Sequence, residues 1–426
     1  MFKVLVIAYY FPPMGLSGVQ RVTKFVKYMR KYNWEPTVIT TGKTSYFAHD
    51  NSLLKEVEES EIRVIRVEAN DPYSLARSKK NFKMSAEIVI KTLNNISKTF
   101  FIPDNKISWS NKAYKVAKEL LKKEEFDIIF VSIPPFSTFS VAARLSKWFD
   151  IALFVDYRDL WTGNQFAFNL TPYHSYLHKK LEYKALRVAD KVIAVNRKIK
   201  EKLLNTFRFL TFEDIMIIPH GYDKEDFENI TPIPKGNNKM RLTYSGTFYE
   251  FITPKYFLQA FRKLTYERPD IAENIELHFI GEFRRENVKL VDKLGLQAYV
   301  RDYGYLDHNE AVVRIVSSDV LWLMVGDKKN ADTITPGKLF EYFGARKPII
   351  ACVPEGAAKS ACQEYGATFI TKPADIDEIK NTIIRVHGLY REGKLPKPNE
   401  EFVVKHDREV QTEQMLKSFQ FYIKAI

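Results

Sequence analysis

Cysteine is scarce: the 426-residue chain has two, Cys352 and Cys362. Both lie in the same half and neither belongs to a CxxC or Cys/His cluster. That argues against a disulfide framework or a structural zinc site and fits a reducing, cytosolic setting. Long apolar runs are missing too, and no stretch is long enough to span a bilayer. The opening MFKVLVIAYYFPP is apolar but broken by Pro12 and Pro13, with no small-residue cleavage site, so it reads as a buried first strand rather than a signal peptide. No repeat occurs at solenoid spacing. Helix-turn-helix, zinc and RNA-recognition signatures are also absent, which leaves a nucleic-acid-binding role only the basic charge in its favour.

What is present is a chain with 45% hydrophobic and 27% charged residues. It is too apolar to be disordered and too long for one ordinary domain, so two cores with a cleft between them are expected. The net charge of +13 is uneven: residues 1–210 hold 35 Lys and Arg against 20 Asp and Glu, and the remainder holds 30 against 32. A basic first half suits nucleic acid, anionic lipid or a phosphorylated acceptor.

Short β-branched runs alternate with amphipathic segments. KVLVIA, PTVIT, RVIRV, DIIFVS, IALFVD, KVIAV and IMIIP are separated by helical patterns such as 19–32 and 111–123. A second series, RLTYS, IELHFI, VRDYG, DVLWLM, PIIAC and ATFIT, follows the polar stretch DKEDFENITPIPKGNNK. The predicted fold is α/β, with two doubly wound, Rossmann-like domains. The expected layout is a first domain over 1–222, a linker over 223–240 and a second domain over 241–406, with a final helix over 407–426 returning to the first domain. Residues 79–102 carry Phe82, Met84, Ile88, Leu93, Ile96, Phe100 and Phe101 among five lysines. Such a stretch fits an anionic membrane interface, and packing on its own domain is the equal alternative.

In open α/β sheets ligands sit beyond the carboxyl ends of the strands. After the first strand, YYFPPMGLSGVQR places Gly15, Ser17 and Gly18 where backbone amides can approach an anion at a helix N-terminus. The strongest candidate is ADTITPGKLFEYFGARKPIIAC. There Thr335, Pro336 and Gly337 form a polar turn, and Lys338 adds positive charge to free helical amides that would suit a diphosphate. Glu341, one turn on, shares a face with Lys338 and is placed to accept bonds from ribose hydroxyls. FVDYRDLWTGN brings Asp156, Arg158 and Asp159 to the end of another strand. Arg158 or Asp159 would orient acceptor or sense donor, unless a buried Arg/Asp pair merely fixes the loop. His220 in IIPHGYD is a further donor contact to test. The DID at 375–377 begins a helix, where acidic residues are ordinary caps, so no metal site is expected.

Taken in order, KVLVIAYYFPPMGLSGVQR, FVDYRDLWTGN, ADKVIAVNRKI, IIPHGYD, LTYSGTFYEFITPKYFLQAF and TPGKLFEYFGARKPII resemble the retaining glycosyltransferases of family 4, with the GT-B fold. The resemblance covers nearly the whole chain. It implies a nucleotide-sugar donor held mainly by the second domain, an acceptor held mainly by the first, and transfer with retention and without a divalent metal. Gly18 matches the family's glycine loop, and Glu341 matches the second glutamate of its paired-glutamate motif. The first glutamate falls at Thr333. The family's basic pair after the Gly246 loop is missing here: Thr247 follows the glycine and Lys255 is the nearest later cation, so Lys338 is expected to supply the charge. The histidine that many members carry near FVDYRDLWTGN is also lacking. The Pro-x-Lys-x-x-Glu arrangement resembles a branch whose members include builders of bacterial surface polysaccharide on lipid carriers.

The expected function is therefore transfer of a hexosyl or N-acetylhexosaminyl group to a glycan or lipid-linked acceptor. No cofactor is needed, since the nucleotide-sugar is a substrate, and Arg158, Asp159 and Lys338 are the catalytic candidates. The expected place is the inner face of the cytoplasmic membrane, with no nucleic acid as partner. Two alternatives stay open: a nucleotide-sugar epimerase on the same fold, and a degenerate transferase that binds donor without turnover.

Overall fold

The computed structural model describes residues 1–15, 17–42, 49–68, 102–165 and 171–424. Apart from Ile102, the stretch 79–102 read as a membrane interface lies outside them. The chain forms two compact units: Met1–Pro219 with Gln411–Ile426, and His220–Val410.

The first unit is built on seven parallel strands: β1 (Phe2–Ile7), β2 (Trp34–Thr41), β3 (Arg63–Val67), β4 (Ile128–Ile133), β5 (Ala152–Tyr157), β6 (Lys191–Ala194) and β7 (Ile215–Ile217). Their order is β3-β2-β1-β4-β5-β6-β7. Every residue of β4 and β5 is buried, which is why these runs are apolar throughout rather than alternating. Successive side chains still point to opposite faces. Leu5, Ile7, Ile129, Val131 and Val155 enter one layer, while Val4, Val6, Ile128, Phe130 and Phe154 enter the other. That second layer also takes Met415, Leu416 and Phe419 from the last helix, Arg408–Lys424. The Phe419 ring lies 4.4 Å from that of Phe154 and 5.5 Å from that of Trp34.

The second unit has six parallel strands: β8 (Met240–Ser245), β9 (Ile275–Ile280), β10 (Val300–Asp302), β11 (Val320–Met324), β12 (Ile349–Cys352) and β13 (Thr368–Thr371), in the order β10-β9-β8-β11-β12-β13. Trp322 anchors its core, stacked on Phe257 with centroids 3.9 Å apart and tilted against Tyr244 at 4.8 Å. The polar segment 223–240 lies within this unit. It opens with a 3-10 turn, Lys224–Phe227, and the Arg241 guanidinium donates to its Ile233 and Pro234 carbonyls at 3.0 and 2.9 Å. In both sheets the strand order reverses beside the first strand of the unit, between β1 and β4 and between β8 and β11. The carboxyl ends of those strands are therefore the places to look for a ligand.

Candidate functional site

In the second unit, β8 ends at Ser245 and the chain turns at Gly246, whose φ of +120° only glycine adopts readily. A Cβ on Gly246 would also lie 2.7 Å from Cε of Lys338, so the glycine lets this side chain cross the strand end. Lys338 comes from the first turn of the helix Gly337–Gly344, with Pro336 at the N-cap rather than inside the helix. Its ammonium donates to the Tyr244 hydroxyl at 2.7 Å and sits 4.0 Å from the centre of that ring. Burial pushes the Lys338 pKa down to about 7, against the opposing pull of Glu341. A second tyrosine pins the loop: the Ser245 amide donates to the buried Tyr342 hydroxyl at 2.8 Å.

Glu341 is no loose surface partner of Lys338. Its side chain is 15% exposed, and one carboxylate oxygen lies 3.8 Å from Nδ1 of His308. Nε2 of His308 is 2.8 Å from the Asp226 carboxylate. The helix start therefore presents a lysine with an adaptable charge and, one turn later, a carboxylate lying beside an imidazole. Such a pair can meet a phosphate and a hydroxyl a few ångströms apart.

The other predicted positions are distributed around this centre. Thr335 is buried, and the Thr333 hydroxyl donates to the Asn330 carbonyl at 3.0 Å within the turn Ala331–Thr333. Thr247 directly follows Gly246 and is half-buried. The His220 ring lies 5.9 Å from Phe340, on the same helix as Lys338. Lys255 is exposed at the start of the helix Lys255–Glu267, 5.5 Å over the Tyr256 ring. Tyr244 and Tyr342 lie inside the quoted LTYSG and TPGKLFEY stretches, but nothing in the spacing marks them as partners of Lys338 and the Ser245 amide, and His308 and Asp226 carry no motif.

In the first unit Ser17 opens the helix Ser17–Lys31, Gly15 is buried just before it and Gly18 lies in its first turn. A Cβ on Gly18 would fall 2.6 Å from Nη1 of Arg158, which donates to the Gly18 carbonyl at 2.6 Å. Arg158 also donates to the carbonyls of Ile133, at 3.2 Å, and Pro134. Its guanidinium thus ties the loops after β1 and β4 together. The fully buried ion pair is a different one: Arg21 and Asp156, both 0% exposed and 2.8 Å apart, with Ser132 donating to the same carboxylate at 2.9 Å. Asp159 has its carboxyl pKa raised by burial, opposed by Arg158 and a bond with Gln165. At 375–377, Asp375 caps its helix by accepting the Glu378 amide at 2.9 Å, and Asp377 pairs with Lys263 at 2.6 Å. Among the described residues no group of three His, Cys, Asp or Glu side chains is placed to hold a metal ion.

Residues 17–226 match the family model described as Glycosyltransferase Family 4. The chain carries a glycosyltransferase family 4 domain. Solved structures of similar fold include a glycosyltransferase from Rickettsia africae, with 17% identity, TM-score 0.66 and 99% of each chain covered. Another is the Anabaena protein HepE in complex with UDP, with 13% identity, TM-score 0.63, 99% of this chain and 100% of that one. A candidate UDP-N-acetylglucosamine 2-epimerase from Listeria monocytogenes gives 14% identity and TM-score 0.59 over 100% and 97%. No curated protein sequence matches the chain. At these identities the structural likeness shows the fold: the family 4 domain belongs to a chain with two Rossmann-like units of the GT-B type.

Proposed function

We propose that the protein is a retaining, metal-independent glycosyltransferase. It moves a hexosyl or N-acetylhexosaminyl group from a nucleotide-sugar to a glycan or lipid-linked acceptor in bacterial surface polysaccharide synthesis, at the inner face of the cytoplasmic membrane. The observation that carries this reading is the Lys338 side chain laid across Gly246, with Glu341 one turn on. The second unit holds the donor: Lys338 and the amides around Gly337 and Thr247 take the diphosphate, and Glu341 takes the ribose. The UDP bound to HepE supports a nucleoside diphosphate as the anion. The first unit binds the acceptor.

The hard step is departure of the diphosphate. Charge grows on the leaving phosphate as the glycosidic bond lengthens, and preorganised amides with a lysine that gains its proton there stabilise it most in the transition state. As the C–O bond to phosphate breaks, the acceptor hydroxyl attacks the oxocarbenium-like carbon on the face the phosphate leaves and passes its proton to the departing phosphate oxygen, which preserves the anomeric configuration. The likeness to the Listeria protein favours an epimerase as second reading. The family 4 domain weighs against it.

Proton NMR of the product tests the mechanism, because the anomeric coupling should be that of the donor. Turnover should survive EDTA, since the diphosphate is held by amides and lysine. An inverted anomer, or activity lost to EDTA and restored by magnesium, overturns the corresponding part.

A further inference from the structure

We propose that the outward face of the helix Pro172–Leu186 is a docking surface for an anionic lipid bilayer. The helix starts at Thr171, whose hydroxyl oxygen caps it by accepting the His174 amide, with Pro172 at the first position. Glu182, Ala185 and Leu186 form its buried side. Tyr173, Tyr176, Lys180, Tyr183, Lys184 and the C-capping Arg187 recur at helical spacing on the opposite side, and all six are exposed. The three tyrosines are 65%, 57% and 46% exposed. Bare aromatic rings in a row on one helix face need an explanation that scattered surface residues do not.

Charge decides what this face meets. The sole carboxylate of the helix, Glu182, is fully buried, accepting from the Tyr157 hydroxyl at 3.1 Å and the Thr162 amide at 2.9 Å. The exposed face therefore carries cations without acids. Its rings and cations are interleaved: Tyr173 stacks towards Tyr176 at 6.5 Å, and Lys180 lies 5.8 Å over the Tyr176 ring. Tyr183 meets Phe209 edge-on at 5.0 Å, and Arg187 covers that same ring at 5.1 Å.

Tyrosine settles at the headgroup level of a membrane, with its ring towards the acyl boundary and its hydroxyl in water. Lysine lays its stem along apolar surface while its ammonium reaches lipid phosphate. A helix with rings and cations on one face and little overall hydrophobicity lies flat on such a surface and does not cross it. The inference is independent of the stretch 79–102 and does not need the donor chemistry, so nucleoside diphosphate binding can stand if docking fails.

The test is co-sedimentation of the full chain with vesicles of phosphatidylcholine alone and of equal phosphatidylcholine and phosphatidylglycerol, at low and high salt. The chain should sediment with the anionic vesicles only, and less at high salt. In the variant Tyr173→Ser, Tyr176→Ser, Lys180→Gln, Lys184→Gln, affinity should fall by roughly thirtyfold from the two lysines alone, and further from the rings. Circular dichroism should match wild type, because every changed side chain is exposed. The variant Lys79→Gln, Lys80→Gln, Lys83→Gln, Lys91→Gln should keep a share of binding that the helix substitutions then remove. Absence of wild-type binding to anionic vesicles overturns the proposal, as does equal binding by the helix variant. Salt-sensitive capture on polyuridylate without vesicle binding would do the same, and would assign the face to nucleic acid.

Discussion

Lys338 carries its charge in a place that resists it. With the pKa pushed down to about 7 by burial, the Lys338 side chain is mostly the neutral amine at pH 8, and an arriving diphosphate favours the charged ammonium. Binding should then take up a proton above about pH 7. The affinity Lys338 contributes is fully present below that value and lost as the pH rises through it towards the pKa of the complex. Calorimetry of UDP at pH 8 in buffers of different ionisation enthalpy should show the uptake, and Lys338→Met should abolish it. The variant should also bind more weakly by about 1.5–3 kcal/mol, the usual worth of a charged hydrogen bond; equal uptake in the variant would assign the proton elsewhere. Glu341→Ala should weaken donor binding by a similar ~1.5–3 kcal/mol and lower turnover with the fold intact. Wild-type turnover at subsaturating donor would remove Glu341 from the site. Lys338 and Glu341 were legible because they share one turn of one helix. Tyr244 was not, since it meets Lys338 from 94 residues away. Arg158 stands two residues from Asp156 in sequence, but the guanidinium paired with that carboxylate is that of Arg21, 135 positions away.

Among the elements, the strands were the legible part: each of the thirteen β-branched runs is a strand in a parallel sheet. Burial on both faces demands continuous apolar runs, and such runs are visible without knowing their neighbours. Helix starts were less so. The pattern at 19–32 marked the apolar stripe, while the helix runs from Ser17 to Lys31 and so begins two residues before Val19, the first apolar position of that stripe. Strand order is a non-local property, and so is the clamp that joins it. Arg21, from the helix after β1, binds Asp156 at the end of β5 and donates to the Ile218 and Pro219 carbonyls at 2.9 and 2.6 Å after β7. Asp156→Ala would leave that guanidinium buried and short of its counter-charge. Unfolding by urea should show a loss of roughly 3–5 kcal/mol, the range for breaking a buried pair from one side. A loss under 1 kcal/mol would mean that the two carbonyls suffice.

At the scale of the whole molecule, a basic first half carries the family 4 domain, and a second, Rossmann-like unit presents a lysine and a carboxylate from the helix Gly337–Gly344. Fold class followed from the alternation of strands and helices, and the family 4 domain over 17–226 from the order of the motifs within it. Neither the sugar nor the acceptor is legible, because such selectivity rests on a few side chains brought together by loops rather than on spacing. The central claim is that a nucleotide-sugar is consumed by transfer. The most direct measurement incubates the protein with a panel of nucleotide-sugars and lipid-linked or glycan acceptors, following free nucleotide and intact product mass together. The account predicts release of nucleoside diphosphate matched by an acceptor heavier by one sugar residue. A nucleotide-sugar converted to an isomer of unchanged mass, with no nucleoside diphosphate released and no acceptor gaining mass, would contradict it.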